Sequence, residues 1–284
     1  MPELPEVETV RRGLAPALIG ARLLEVELRR ADLRFAFPER FVERLSGRRV
    51  EALRRRAKYL LADLDSGETL VMHLGMSGSF RLEGATPPGA FHFERSKANA
   101  HDHVVLTCDN GARIVYNDPR RFGYMTLART NTLTNHPPFR GLGVEPLSEE
   151  FDAAHLAALL AGARTPLKSA LLDQRRIAGL GNIYVCEALH SARLSPLRGA
   201  GSLTPAQVHA LASSVREVLE AAIEAGGSTL RYHRQPDGEL GDFQHSFAVY
   251  DRQGAACGHA RCKGAIERIA QNGRSTFYCP TCQR

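Results

Sequence analysis

The chain begins with Met1-Pro2-Glu3-Leu4-Pro5-Glu6-Val7-Glu8-Thr9, a stretch that places two prolines and three acids at the start of a helical pattern. The apolar residues Val7, Val10, Leu14 and Leu18 recur at the spacing of one helix face. Pro5 suits the first helical turn, where its missing N–H costs nothing, and acids favour the positive end of a helix. If Met1 is removed, Pro2 becomes a secondary amine beside Glu3 that can attack an electrophilic carbon. Taken alone, a processed N-terminus without chemistry is the simpler interpretation.

Composition sets the broad class of the protein. A chain of 284 residues is long enough for two domains. No apolar run approaches the roughly 20 residues of a membrane span, and the acidic N-terminus is unlike a signal peptide, so we expect a cytoplasmic protein with no membrane partner. The net charge of +6 favours a polyanionic partner, and residues 251–284, with six Lys/Arg and two Asp/Glu, carry +4 of it.

The N-terminal half shows repeated strand signals. Residues 22–28 alternate apolar and polar side chains, and further candidate strands follow at residues 50–53, 59–64, 69–74, 79–82, 103–108 and 112–116. Asn110-Gly111 is a strong hairpin signal between the last two. Short strands at this spacing predict a β-sandwich or flattened barrel. Residues 84–100 have no periodicity and are predicted to form a long loop.

The pattern becomes helical after a Pro- and Gly-rich stretch at residues 131–146, which resembles an interdomain linker. We predict helices from a Ser148 cap through Ala161, from Thr165-Pro166, from the Gly179-Leu180-Gly181-Asn182 turn through Leu189, and from a Thr204-Pro205-Ala206-Gln207 capping box to Gly226-Gly227. Residues 228–244 lose all periodicity, and a loop of this length is usually functional or disordered.

The six cysteines of a cytoplasmic chain indicate metal ligation or buried thiols. Four of them, Cys257, Cys262, Cys279 and Cys282, have the spacing C-x4-C-x16-C-x2-C, which supplies four thiolates for tetrahedral Zn²⁺. Two disulfides or four free thiols are the alternative. His259 could substitute for one of them, although four thiolates complete the set. A closed four-cysteine site is structural because it leaves no position for substrate. Cys108 and Cys186 lie in strand and helix patterns and are predicted core thiols.

Several polar residues have both a functional and a structural interpretation. Lys58 interrupts an apolar run, where it either extends to solvent or serves as an amine with a depressed pKa. Met76, in a glycine-rich loop, and the Arg120 and Phe122 turn resemble the apolar wedges and cations that open DNA, but they also fit ordinary hairpin turns. Asn182 begins a helix whose amides could receive a phosphate, or simply caps it. Arg274 lies among small polar residues and could be a solvated surface charge.

Six of these motifs, taken in order, resemble one family. They are the Pro-Glu-Leu-Pro-Glu start, Arg-Ala-Lys-Tyr-Leu at Lys58, His-Leu-Gly-Met-Ser-Gly-Ser from His73, Asp-Pro-Arg-Arg-Phe-Gly from Asp118, Gly-Leu-Gly-Asn-Ile-Tyr from Gly179, and the terminal four-cysteine pattern with Arg-Ser-Thr-Phe-Tyr-Cys from Arg274. The chain is similar over its whole length to bacterial formamidopyrimidine-DNA glycosylases, which remove oxidised purines such as 8-oxoguanine from DNA.

The resemblance implies an α+β multidomain fold with an N-terminal β-sandwich and leading helix, a helix–two-turns–helix module and a β-hairpin zinc finger. We place the sandwich at residues 1–131, a linker at 132–147 and the helical DNA-binding domain at 148–228. A lesion-recognition loop region at 229–248 and the zinc finger at 249–284 complete the chain. The implied partner is double-stranded DNA with oxidised purines, bound by a monomer associated with the nucleoid.

The resemblance also implies roles for single residues. Pro2 would attack C1′ of the damaged nucleotide, Glu3 would act as the acid, and Lys58 and Arg274 would serve β- and δ-elimination. Met76, Arg120 and Phe122 match the wedge that fills the gap left by a flipped nucleotide. Residues expected to contact DNA or support the site are Glu6, His73, His101, Arg164 and Asn182. The four zinc-segment cysteines would hold one structural Zn²⁺.

Two rival functions remain open at this point. Endonuclease VIII-type enzymes, which prefer oxidised pyrimidines, usually have Gly where this chain has Leu4 and lack the long recognition loop, so Leu4 and the length of residues 228–244 favour the purine enzyme. A non-catalytic zinc-finger DNA-binding protein or damage sensor would form no covalent adduct. Arg176, before Gly179, is more polar than the resemblance predicts.

Overall fold

The computed structural model describes residues 2–84, 99–228, 236 and 241–284. Most of the loop predicted at residues 84–100 and much of residues 228–244 therefore lie outside the described residues. The chain divides into two compact units, Met1–Arg140 with Ala225–Asp242, and Gly141–Glu224 with Phe243–Arg284. No helix of the described part is long and apolar enough to cross a membrane.

The first unit begins with helix α1, Leu4–Leu18. Its buried face contains Val7, Val10 and Leu14, which are at most 1% exposed, as the helical spacing predicted. Glu3 and Glu6 form a reciprocal capping box, and a proline occupies the first turn. The acids of the opening stretch therefore satisfy backbone N–H groups that the first turn would otherwise leave without partners.

Two antiparallel four-stranded sheets form the sandwich. One sheet has the order β1-β6-β7-β5 and the other β2-β3-β4-β8. The strands are β1 Leu23–Leu28, β2 Val50–Arg56, β3 Tyr59–Leu64, β4 Glu68–His73, β5 Ser79–Glu83, β6 Asp102–Cys108, β7 Arg113–Asn117 and β8 Tyr124–Arg129, with a short helix α2, Phe41–Leu45, before β2. Their apolar side chains and those of α1 form one core. The predicted β-sandwich is confirmed.

Strand β8 was missed from the sequence. It pairs with the whole of β4, from Glu68 opposite Arg129 to His73 opposite Tyr124. Met125 and Leu127 alternate with polar residues and are buried, so a weak strand signal was present. The strand directly follows the turn at residues 118–123, whose charged residues suggested a DNA-binding turn and not the start of a strand.

The second unit contains four helices and a hairpin. They are α3 Ala153–Leu160, α4 Leu167–Leu172, α5 Asn182–Ser191, α6 Pro205–Glu224, β9 Glu267–Gln271 and β10 Arg274–Tyr278. The Thr204 capping box is confirmed, because Thr204 N donates to Gln207 Oε1 at 3.0 Å and Gln207 N donates to Thr204 Oγ1 at 3.3 Å. Helix α6 ends before Gly226 and Gly227, whose φ angles of 75° and 80° favour glycine.

The Ser148 cap was wrong: Asp152 caps α3 by accepting from His155 N at 2.7 Å, while the Ser148 hydroxyl donates to the Glu145 carbonyl. A hydrogen bond accounts for the polar residue at position 176: the Arg176 guanidinium donates to the Leu159 carbonyl. Cys108 and Cys186 are buried core thiols, as predicted.

Candidate active site and metal centre

The N-terminal turn of α1 is held by Glu6. Pro2 is buried at the start of this turn, and Glu3 is 4% exposed. Glu6 Oε2 accepts from Glu3 N at 2.8 Å, and its Oε1 accepts from both the N and the Oγ of Ser228 at 2.9 Å. A Cβ on Gly227, where φ is +80°, would lie 3.2 Å from Glu6 Cγ. Because Glu6 is only 2% exposed, its burial favours support of the site over direct DNA contact.

Lys58 lies in the turn between β2 and β3, rather than within a strand. It is 8% exposed, so its ammonium does not extend into open solvent. The preceding Ala57 has φ +51° and its carbonyl accepts from Arg55 Nη1 at 3.0 Å, while Arg55 Nε reaches Glu8 Oε2 on α1 at 3.3 Å. Burial opposes the charged form of Glu8, but the hydrogen bonds and charge of Arg11, together with Arg12 and Arg55, outweigh it and keep the pKa of Glu8 below its usual value. A chain of polar contacts thus connects α1 to the turn that carries Lys58.

His73 ends β4 close to this turn. Burial, with the positive charges of Lys58 and Arg34, lowers the pKa of His73 to about 4. Its Nδ1 accepts from Gly75 N at 3.1 Å, so the neutral ring carries its proton on Nε2 and can donate from there. The ring stacks on Tyr124 with a centroid distance of 5.5 Å. His73 is therefore a fixed neutral donor.

Two loops, residues 74–78 and 118–123, form one platform. A Cβ on Gly75 would lie 2.3 Å from the Phe122 carbonyl carbon, so the two backbones are in direct contact. Asp118, fully buried, accepts from the Ser77 hydroxyl and from Gly123 N at 2.8 Å. Asp118 thus fixes the positions of the two loops relative to each other.

The platform presents the residues expected to form the wedge. Met76 is 38% exposed and Phe122 is 42% exposed, so both apolar side chains reach the surface of the platform. The Arg120 guanidinium lies 4.6 Å from the centroid of the Phe122 ring. An open cavity of about 400 Å³ beside them is lined by Leu33, Arg34, Arg120, Arg121 and Phe122. Exposed apolar tips beside cations are suited to stacking on bases and binding phosphates.

The remaining DNA-contact predictions fall on the periphery of their units. The His101 carbonyl accepts from Asp118 N at 3.0 Å, which places this half-buried residue beside the 118–123 loop. Arg164 is exposed in the connection between α3 and α4. Within the described part of the chain, neither residue has a contact that assigns it a chemical task.

In the second unit, β10 is anchored beneath Arg274. Asn182, the first residue of α5, donates from Nδ2 to the Ser275 carbonyl at 2.9 Å. Lys168 Nζ donates to the same carbonyl at 2.9 Å and to Thr276 Oγ1 at 2.7 Å. Arg274 itself is exposed at the start of the strand. Lys168, only 1% exposed, was missed from the sequence, although a lysine between the apolar residues of α4 was a signal of a buried polar contact.

The four cysteines of the zinc segment converge. The Sγ atoms of Cys257 and Cys282 are 3.6 Å apart, those of Cys262 and Cys279 are 3.7 Å apart, and all four lie within 4.8 Å of one another. A tetrahedron with Zn–S bonds of about 2.3 Å has edges of about 3.8 Å, so the residues fit one zinc ion. None of the four is in a disulfide. The closed thiolate set makes the zinc structural.

The chain combines a β-sandwich that begins with a proline, a helical module and a four-cysteine hairpin. This combination defines the class of zinc-containing DNA glycosylases. Residues 1–125 match the family model described as "Formamidopyrimidine-DNA glycosylase N-terminal domain", and residues 142–234 match the "Formamidopyrimidine-DNA glycosylase H2TH domain". Residues 260–284 match "Zinc finger found in FPG and IleRS".

Relatives give the same result over the whole chain. The formamidopyrimidine-DNA glycosylase of Methylocella silvestris is 61% identical over 292 residues, with 100% of both chains covered. The crystal structure of the MutM (FPG) protein of Thermus thermophilus is 43% identical with a TM-score of 0.84, covering 99% of this chain and 98% of that one. A complex of Lactococcus lactis Fpg with DNA containing an abasic site is 32% identical with a TM-score of 0.86, covering 100% of both chains. The chain belongs to the formamidopyrimidine-DNA glycosylase family, and it is a DNA glycosylase of base excision repair.

Proposed function

We propose that the protein excises oxidised purines from double-stranded DNA through Pro2 and then cleaves the strand at the same nucleotide. The observation that carries the proposal is the position of Pro2 at the start of α1, beside Glu3, in a turn held by the Glu3–Glu6 capping box. Relatives support the substrate class: one solved structure is a MutM complex with DNA containing carbocyclic 8-oxo-G, and another is a Lactococcus lactis Fpg mutant with DNA containing Fapy-dG.

Base loss follows from nucleophilic attack. The Pro2 nitrogen, freed by removal of Met1, forms a bond to C1′ of the damaged nucleotide. The bond from C1′ to the base breaks, its electron pair leaves with the base, and the base takes up the proton that the Pro2 nitrogen loses. Glu3 then protonates O4′ as the C1′–O4′ bond opens, which leaves a positively charged iminium between Pro2 and the open sugar.

Strand cleavage follows from the charge of the iminium. Its positive charge acidifies the C2′ proton, and loss of that proton expels the 3′ phosphate with the electron pair of the C3′–O bond. We assign this β-elimination to the Lys58 amine, which the Arg55–Ala57 contact holds at the hairpin turn. A second elimination removes the C4′ proton and expels the 5′ phosphate with the electron pair of the C5′–O bond, and we assign it to Arg274. Water then hydrolyses the remaining iminium and releases Pro2.

Access to the base requires the nucleotide to leave the duplex. Extrusion costs a few kcal/mol, which stacking by an apolar wedge partly offsets. We assign the wedge to Met76, Arg120 and Phe122, because the two loops that carry them are in backbone contact and leave their tips exposed. The residues proposed to bind the DNA backbone are His73, as a neutral donor, His101 and Arg164. Glu6 and Asn182 are proposed to support the site.

Borohydride trapping tests the nucleophile. The full chain incubated with an 8-oxoguanine:C duplex and borohydride is expected to form a covalent protein–DNA adduct. Pro2→Gly, or a preparation that retains Met1, is expected to lose most of the adduct, whereas the matched control Pro5→Ala keeps it. Equal trapping by both the Pro2→Gly variant and the preparation that retains Met1 would show that another amine, such as Lys58, is the nucleophile. No adduct with the unaltered protein would instead support a non-catalytic damage sensor.

The assignments of the two eliminations have separate readouts. On a gel that resolves the products, Arg274→Gln is expected to accumulate the β-elimination product and lose the δ-elimination product. Arg268→Gln, on the neighbouring strand, is the matched control and keeps both. An unchanged product ratio in Arg274→Gln would contradict the role of Arg274.

Lesion preference separates the purine enzyme from the pyrimidine rival. We expect faster excision from 8-oxoguanine:C duplexes than from thymine glycol:A duplexes. Faster removal of thymine glycol would overturn the proposed substrate class.

We also propose that the protein acts as a monomer on nucleoid DNA in the bacterial cytoplasm. For its domains we propose the boundaries that were inferred from the sequence. Light scattering coupled to size exclusion is expected to give the mass of one chain, 31.2 kDa. A stable dimer mass would contradict this.

A further inference from the structure

Two histidines lie against one edge of the cysteine cluster. His190, on α5, is 2% exposed, and its Nε2 is 3.3 Å from Cys257 Sγ. His259, in the four-residue spacer between the first two cysteines, has its Nδ1 3.8 Å from Cys282 Sγ. The two imidazole rings are in contact, with centroids 4.1 Å apart. Neither histidine has a role in the glycosylase chemistry described above.

The four ligand atoms of His190, Cys257, His259 and Cys282 have the dimensions of a metal site. They all lie within 4.8 Å of one another, and the two sulfurs are 3.6 Å apart. Tetrahedral zinc with Zn–S bonds of about 2.3 Å and Zn–N bonds of about 2.0 Å has S···S edges of about 3.8 Å and N···S edges of about 3.5 Å. The observed N···S separations of 3.3 and 3.8 Å bracket the second value.

We propose that His190, Cys257, His259 and Cys282 form a second tetrahedral zinc site that shares the Cys257–Cys282 edge with the four-cysteine site. Two thiolates and two imidazoles are a common structural zinc set. The shared edge can therefore be completed either by Cys262 and Cys279 or by His190 and His259. The two sets have different structural consequences. The four cysteines join only parts of the terminal segment, whereas the histidine set ties that segment to α5 through His190.

A simpler role for His190 makes a different prediction. If its imidazole only donated a hydrogen bond to the Cys257 thiolate, zinc binding would depend on all four cysteines equally. The second site instead predicts an asymmetry, because Cys257 and Cys282 belong to both sets and Cys262 and Cys279 belong to one.

The test removes one set at a time in the full chain. Cys262→Ser combined with Cys279→Ser is expected to retain about one zinc per chain on elemental analysis after dialysis, through the histidine set. The matched double variant, Cys257→Ser with Cys282→Ser, is expected to lose it. Cobalt substitution reports the ligands, because the thiolate charge-transfer band of the first variant should fall to about half that of the unaltered protein when two of four thiolates remain.

Histidine substitutions complete the design. Adding His190→Phe, which keeps an aromatic ring but removes the ligand nitrogen, or His259→Asn to the Cys262→Ser, Cys279→Ser variant is expected to abolish zinc retention. If that double variant does not fold, Cys262→Ser alone carries the test, with zinc retained by it and lost on addition of His190→Phe. Absence of zinc from the folded cysteine variant, or its retention after His190→Phe, would overturn the second site.

Discussion

Glu6 offers the sharpest test of how the fold holds the N-terminal turn. Its buried carboxylate accepts hydrogen bonds from Glu3 N and from the N and Oγ of Ser228, which lies 222 positions further along the chain. Glu6→Gln keeps the shape of the side chain but replaces one acceptor oxygen with a donor NH2 group. Whichever way the amide is oriented, its NH2 then faces a backbone N–H that no longer has an acceptor.

The magnitude follows from these contacts. Leaving one buried backbone N–H without an acceptor costs about 1–3 kcal/mol, and the hydrogen bonds that remain weaken because their acceptor is no longer charged. We therefore expect Glu6→Gln to lower the free energy of unfolding of the first unit by about 2–4 kcal/mol, with a fall in Tm of about 5–10 °C. Ser228→Ala removes only the hydroxyl bond and should cost about 1 kcal/mol.

Urea and thermal unfolding of these variants and the unaltered protein provide the measurement. Glu43→Gln, at an exposed position on α2, is the matched control and should change stability by no more than about 0.5 kcal/mol. The order of loss should be Glu6→Gln, then Ser228→Ala, then Glu43→Gln. A Glu6→Gln protein as stable as the control would refute the argument that this carboxylate holds the start of residues 225–242 against α1.

Three further predictions concern other parts of the chain. The pKa of His73 in the folded protein, about 4, lies below the ordinary histidine value of 6.5. The contribution of the neutral ring to stability is therefore fully present above pH 6.5 and is lost as pH falls towards 4, to a limit of roughly 3 kcal/mol. NMR titration of the ring should show this pKa, and titration near 6.5 would contradict it. Thr204→Ala should lower the free energy of unfolding of the second unit by about 1 kcal/mol, whereas Thr204→Ser should not. If both variants lost the same stability in urea unfolding, the hydroxyl cap would be excluded. Elemental analysis should find about one Zn²⁺ per chain in the unaltered protein, and its removal by a chelator should abolish DNA binding. A metal-free protein that stays folded and binds DNA normally would contradict the structural role of zinc.

Features specified by neighbouring residues were easier to predict from the sequence than contacts between distant residues. The helix through Val7, Val10 and Leu14, the Thr204 capping box and most strands could be predicted because their signals lie within a few residues. Strand β8 and the Asp152 cap were missed although both had local signals, because charged or polar neighbours suggested other interpretations. The environment of Lys58 was harder to predict, because a lysine in an apolar run can either be buried in a turn or extend to solvent.

The sequence by itself determined the class of protein, the order of its motifs and the four thiolates, because residue type and short spacing specify these properties. Only the tertiary structure decided which polar groups meet across long separations: Glu6 with Ser228, Lys168 with Ser275, and His190 with Cys257. Each pair joins residues that are far apart in the chain, and a buried polar group needs whichever partner folding places beside it. The same applies to Pro2: its turn is held by the Glu6 carboxylate, which in turn accepts hydrogen bonds from Ser228.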